Sequence, residues 1–219
     1  MKIAMRMLLA VLAALSLSFS AKAQEPVPAR TQLERFSDGL ETLQAQFSQV
    51  VLSADNEIQD RSEGEVWLRR PDHFRWAYGG DYPELVVADG ERVWIYDEML
   101  EQVTVRPQDR AAMDSPLSLL ADPDSLDESF EVREVGELDG VSLLELRSRS
   151  TETEFERFLL GLDDDQLVLI IMEDSFGLRT EIRFDAVQRN VELDEVLFEF
   201  SPPEGVDVIG ELPGMPQSR

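Results

Sequence analysis

The chain has 219 residues, 45 acidic against 20 basic, no cysteine and a single histidine, for a net charge of −25. That charge repels a phosphate backbone at every approach, so nucleic acid is excluded as a partner. With no cysteine and only His73, disulfides, thiolate nucleophiles and Cys-based or multi-histidine metal centres are excluded too.

The first 23 residues carry Lys2 and Arg6, an apolar run from Met7 to Leu17, and Ala21-Lys22-Ala23, the three-part pattern of a cleaved secretory signal. The apolar run is too short for a bilayer, which takes ~18 to 20 residues. Cleavage after Ala23 leaves residues 24–219 as one domain, enough chain to bury roughly 70% of its unfolded surface. No cysteine follows the leader, so the chain cannot itself be acylated as a lipoprotein. Losing Lys2, Arg6 and Lys22 takes the charge from −25 to −28, with arginine as the sole cation. Self-repulsion of that size is relieved by salt, and it points to a salt-rich exterior.

Residues 24–30, with Pro26 and Pro28, read as a flexible lead-in, and residues 210–219 as a flexible tail. Thr31-Gln-Leu-Glu34 has the spacing of a capping box ahead of Leu33, Phe36 and Leu40, which predicts a short helix. After Gly39 the period changes to two, beginning with Ala45-Gln-Phe47-Ser-Gln49. Further strands are predicted at 64–69, 73–78, 84–88, 92–97, 102–105, 130–134, 141–149, 154–162, 167–174 and 178–185. Turn residues at Gly79-Gly80, Asp89-Gly90, Asp139-Gly140, 163–165 and 175–177 make hairpin after hairpin. In the middle, Ser115-Pro116 opens a short apolar helix through Leu117, Leu119 and Leu120. Several strands, 92–96 and 167–172 among them, are apolar on both faces and need cover on both. The implied architecture is mainly β, a strongly curved antiparallel sheet with an apolar interior and the two short helices laid across it as its cover.

No nucleophile elbow, phosphate loop, dinucleotide fingerprint or zinc-protease motif is present, so no catalytic or metal residue and no cofactor is assigned. His73 reads as a surface or cavity-rim side chain, and Asp163-Asp164-Asp165 as a solvated turn. What stands out is aromatic. Trp67, Phe74, Trp76, Tyr78, Trp94 and Tyr96 fall within thirty residues, with Phe74, Trp76 and Tyr78 on one face of one strand. Such a cluster makes an ordinary core or lines a cavity. A binder of small apolar molecules and a hydrolase built on a carboxylate pair are the readings open at this point.

The stretch 64–76, Gly-Glu-Val-Trp-Leu-Arg-Arg-Pro-Asp-His-Phe-Arg-Trp, is followed by Asp89-Gly90, Trp94-Ile-Tyr96 and Glu101-Gln102-Val-Thr. With Ala45-Gln-Phe47, Ser115-Pro116 and Phe198-Glu-Phe200-Ser-Pro-Pro-Glu-Gly205, this order of motifs resembles the periplasmic outer-membrane lipoprotein carrier family, LolA. The resemblance implies an incomplete β-barrel around an apolar cavity with a helical lid, in a monomeric, non-enzymatic periplasmic carrier. It implies acylated lipoproteins as cargo, an ATP-driven inner-membrane releasing complex as donor and an outer-membrane lipoprotein as acceptor. Trp67, Phe74, Trp76, Trp94 and Tyr96, with Leu117 and Leu120, become the cavity candidates, and Arg70 matches the arginine that latches barrel to lid. Departures are the lysine-free acidic surface, Glu98 where proline is common, and the tail.

Overall fold

The computed structural model describes residues 27–108, 126–150 and 155–210. Helix α1 (Ala29–Ser37) buries Ala29, Gln32, Leu33 and Phe36, the stripe expected of a helix lying on a sheet. Its start corrects the capping-box reading. Pro28 occupies the N-cap, Thr31 lies inside the first turn, and no side chain of the helix caps it. The free amides of Ala29 and Arg30 instead donate to the two oxygens of Glu134, at 3.0 and 2.9 Å, from more than a hundred residues away. A carboxylate at a helix N-terminus satisfies orphan donors and complements the dipole, so the local cap is not needed.

Twelve strands follow: β1 (Thr42–Leu52), β2 (Ile58–Arg69), β3 (His73–Tyr78), β4 (Glu84–Asp89), β5 (Arg92–Asp97) and β6 (Gln102–Pro107). After the one-turn helix α2 (Leu126–Ser129) come β7 (Phe130–Leu138), β8 (Val141–Ser148), β9 (Phe155–Asp163), β10 (Gln166–Asp174) and β11 (Arg179–Arg189). A 3₁₀ turn (Glu195–Phe198) and β12 (Asp207–Gly210) complete the described chain. The strands form one sheet in the order β12-β6-β5-β4-β3-β2-β1-β11-β10-β9-β8-β7, whose end strands do not pair with each other. Every pairing is antiparallel except β12 on β6. The strand pattern was thus legible, with β3 and β5 at the expected bounds.

The differences have physical reasons. Residues 58–63 of β2 bury almost nothing, so no apolar face marks them, and they are ordered by the ladder to β1. Likewise β12 is four mostly exposed residues whose strand character comes from pairing with β6. Asp164 and Asp165 take left-handed backbone at φ 47° and 59°, making a two-residue hairpin turn. Far from being only solvated, that turn is docked on α1: the Asp165 amide donates to Gln32 at 3.0 Å, and Arg35 stands 3.4 Å from its carboxylate.

A single apolar cluster joins Leu33 and Phe36 of α1 to Leu43 and Phe47 of β1, Phe74 and Trp76 of β3, Val93 of β5, and Leu144, Leu160 and Ile170 of β8 to β10. Strands so far apart in the sheet order share one core because the sheet curls around α1. A second cluster lies on the outer face, where Val87, Trp94, Val103 and Val105 are covered by Phe200, Val206 and Val208. The C-terminal segment is therefore the outer cover that the two-sided strands required, while α1 is the inner one. Leu117 and Leu120, the expected lid helix, the leader and residues 211–219 lie outside the described residues.

Candidate functional site

The inner face is built from strand alternation. Opposed residues in an antiparallel ladder share a face, and Ala45, Val66, Trp76, Val86 and Ile95 form one such row across five strands. The next row runs Phe47, Gly64, Tyr78. Gly64 lets the Phe47 ring cross β2: a Cβ there would lie 3.0 Å from that ring and 2.0 Å from the Ala77 carbonyl oxygen. Phe47 meets Trp76 and Tyr78 edge-on at 4.8 and 5.0 Å, while Trp76 stacks with Tyr78 at 6.2 Å and lies 6.2 Å from Phe184. Such edge and offset contacts are the favourable ones for aromatic rings.

The sheet divides the five rings singled out from sequence. Phe74 and Trp76 belong to the inner core. Trp94 and Tyr96 belong to the outer cluster, 5.6 and 6.0 Å from Phe200. Trp94 also donates its indole N–H to Asp89 Oδ2 at 2.7 Å. Trp67 is opposite Arg75 and Gln44 and therefore shares the outer face, half-buried. The reading missed Phe47 and Phe184, although each sits in a cleanly alternating run. Period-two spacing identifies which residues share a face and says nothing of which face is inside.

Arg70 follows β2 and points away from Arg69. Its Nη1 donates to the Ser37 carbonyl at 3.3 Å, at the last residue of α1, where helix carbonyls lack partners. Arg69 lies instead on the outer face, with its guanidinium 4.8 Å from the centre of the Phe198 ring. His73 packs edge-on to the same ring at 5.8 Å, and Arg75 donates to the Leu197 carbonyl at 3.1 Å. These contacts fasten the C-terminal segment, and a hollow of about 410 Å³ beside them holds His73 at its edge.

Charges on the inner face lie at its end. Glu84 stands directly opposite Asp97, and burial with that neighbouring charge holds its carboxyl above the usual range. Burial, with Glu84 adding to it, raises the Tyr78 phenol as well. Both groups are neutral more readily than usual, which suits an apolar interior.

On the outer face of β7 to β10, Glu145 has a side chain only 3% exposed, and Arg133, Arg157 and Arg147 meet it at 2.5, 2.7 and 3.4 Å. Burial pushes its carboxyl up, and the three guanidiniums outweigh that and hold it at about 2. Its stabilisation is therefore complete above the ordinary carboxylate pKa of ~4.3 and lost as pH falls towards 2. Glu145→Gln should cost about 1 to 2 kcal/mol at pH 6, the exposed arginines regaining water, and distinctly less at pH 3. Urea titrations at the two pH values check this, and equal deficits would contradict it.

Among the described residues no group of His, Asp or Glu could hold a metal ion. No helix there is long and apolar enough to cross a membrane.

An unclosed antiparallel sheet curled about an aromatic interior, with a helix inside the curl, defines an open-barrel protein with an apolar core face. The sequence profile described as outer membrane lipoprotein carrier protein LolA matches residues 38–201. The chain belongs to that family. It is 39% identical over 211 residues to an outer-membrane lipoprotein carrier protein of Alkalilimnicola ehrlichii, covering 95% of each chain. It is 40% identical over 185 residues to the one from Xanthomonas campestris pv. campestris, covering 84% of this chain and 88% of that one. Among solved structures, an uncharacterized conserved protein from Thermus thermophilus matches with a TM-score of 0.52 at 16% identity, over 82% of this chain and 94% of that one, a likeness of fold.

Proposed function

We propose that the protein is a periplasmic carrier that takes up the acyl chains of lipoproteins released from the inner membrane and delivers them to an outer-membrane acceptor. The observation that carries this reading is the inner aromatic face of Phe47, Trp76, Tyr78 and Phe184 in a chain belonging to the lipoprotein carrier family. An anchor of three acyl chains holds roughly 45 methylenes, and at about 0.8 kcal/mol each they do not cross water unassisted. The carrier covers them against Phe74, Trp76 and, in the stretch 109–125, Leu117 and Leu120. It makes and breaks no bond, needs no cofactor, and acts as a monomer. An ATP-driven releasing complex supplies the work of extraction. Release then requires a grip weaker than the membrane's, which movable covers allow.

An environment-sensitive hydrophobic dye should bind saturably and be displaced by a synthetic diacylglyceryl-cysteine lipopeptide. Mass spectrometry of the protein taken from its own periplasm should find a bound acylated lipoprotein. Absence of saturable dye binding, or a small lipid as the sole occupant, would overturn the reading.

A further inference from the structure

β2 outruns β3. The two strands pair from Gly64 opposite Tyr78 onwards, and the last bond between them runs from the Gly79 amide to the Glu63 carbonyl at 2.8 Å. Before that point β2 continues for several residues paired with β1, Arg61 standing opposite Val50. On its other side the sheet parts, and a groove of about 840 Å³ opens there, lined by residues 60–63 and the loop 79–82 and reaching across β2 to residues 48–50 of β1 and Arg183 of β11.

The groove has two distinct surfaces. Its walls are polar, with Ser62, Arg61 and Asp81 among them, and unsuited to hydrocarbon. Tyr78, which also lines it, is a member of the inner aromatic cluster, so the polar groove runs directly into the apolar face. Tyr82 stands beside the opening, 77% exposed. A strand residue's N–H and C=O point to one side of the strand, and that side alternates along it. The Glu63 carbonyl points to Gly79, so the N–H and C=O of Arg61, two residues away, point into the groove. No strand of the described residues pairs with them there.

A polar trough with a free strand edge, opening onto an aromatic interior, matches a molecule that is apolar at one end and an extended polypeptide beyond it. We propose that the groove receives the peptide that follows an N-terminal acylated residue, adding its backbone to the Arg61 edge of β2 while the acyl chains lie against Trp76 and Phe47. This rests on the carrier reading above and adds to it a site for the peptide portion. Recognition through main-chain bonds is independent of peptide sequence, as a carrier of many cargoes requires.

The test uses the full mature chain with two probes, the hydrophobic dye and a diacylglyceryl-cysteine hexapeptide. Arg61→Pro removes the N–H that faces the groove and spares the ladder to β1, because that N–H points away from β1. It should weaken the lipopeptide ~5- to 10-fold and leave the dye unchanged. Independently of any variant's folding, N-methylating alternate amides of the hexapeptide should weaken it to a similar degree on the wild-type protein. If dye and lipopeptide both bind but N-methylation and Arg61→Pro change neither, the groove is not the peptide site while the carrier reading stands. An equal loss on N-methylating either alternate set of the hexapeptide's amides would overturn the strand-edge mechanism, since only one set can face β2. Failure of both probes on the wild type would overturn the carrier reading itself.

Discussion

Gly64→Ala should lower the melting temperature by about 6 to 12 °C. The added carbon would stand 2.0 Å from the Ala77 carbonyl oxygen, a backbone atom of β3 that cannot rotate away, and 3.0 Å from the Phe47 ring. β2 and β3 must then part at the end of their ladder, or the ring must leave Trp76 and Tyr78. Overpacking of this kind costs about 3 kcal/mol, and a domain of this size loses about 2 to 4 °C for each kcal/mol. Thermal unfolding followed by near-ultraviolet circular dichroism measures both effects, since the Trp76 and Tyr78 rings supply signal there. A melting temperature within about 2 °C of wild type would show that the crossing of Phe47 over Gly64 is not tight.

Arg70→Leu should leave the fold intact and raise dye affinity about tenfold. The guanidinium donates to the last carbonyl of α1 at 3.3 Å. A charge-assisted bond of this length is worth about 1.5 kcal/mol, and about 1.4 kcal/mol is a factor of ten in the balance of closed and open forms. Losing it populates the open form, so the dye binds more tightly while cargo release slows, since reclosing no longer helps to expel the chains. Arg69→Leu is the matched control from the opposite face. It removes the contact with Phe198 that fastens the outer cover and should leave dye affinity unchanged. Equal dye affinity and equal cargo transfer in wild type and both variants would dispose of the latch.

How much of this was legible in the sequence follows from what each signal encodes. Phe74, Trp76 and Tyr78 announced a shared face because alternation is local to one strand. Trp94 and Tyr96 announced a shared face equally well, yet that face is the outer one, and only the register through Val87 and Arg75 to Trp67 reveals it. The two-sided apolar strands correctly demanded two covers. That the second is the segment carrying Phe200 and Val206 was hidden, because those residues follow the last long strand with no periodicity of their own. The capping-box spacing at Thr31 was a true local preference overridden by Glu134, a partner that sequence separation conceals. Arg70 stood out by resemblance, and its partner Ser37 could not be read from spacing at all.

The two ends of α1 are held very differently. At the first turn Glu134 takes two backbone amides, Asp127 takes the Arg30 guanidinium through both oxygens at 2.9 and 2.7 Å, and Gln32 bonds Ser142 at 2.9 Å. Beyond the last turn, the carbonyls of Ser37 and Asp38 each accept one arginine, Arg70 at 3.3 Å and Arg189 at 2.8 Å. A helix held in this way would turn about its N-terminal end. Nine residues at about 1.5 Å each make an arm of about 13 Å, so a swing of ~20° carries the far end some ~4 to 5 Å, comparable to the width of a hydrocarbon chain. Such a swing would draw Phe36 out of the shared core, so the interior would open from the Ser37 end only as an entering chain replaces that burial.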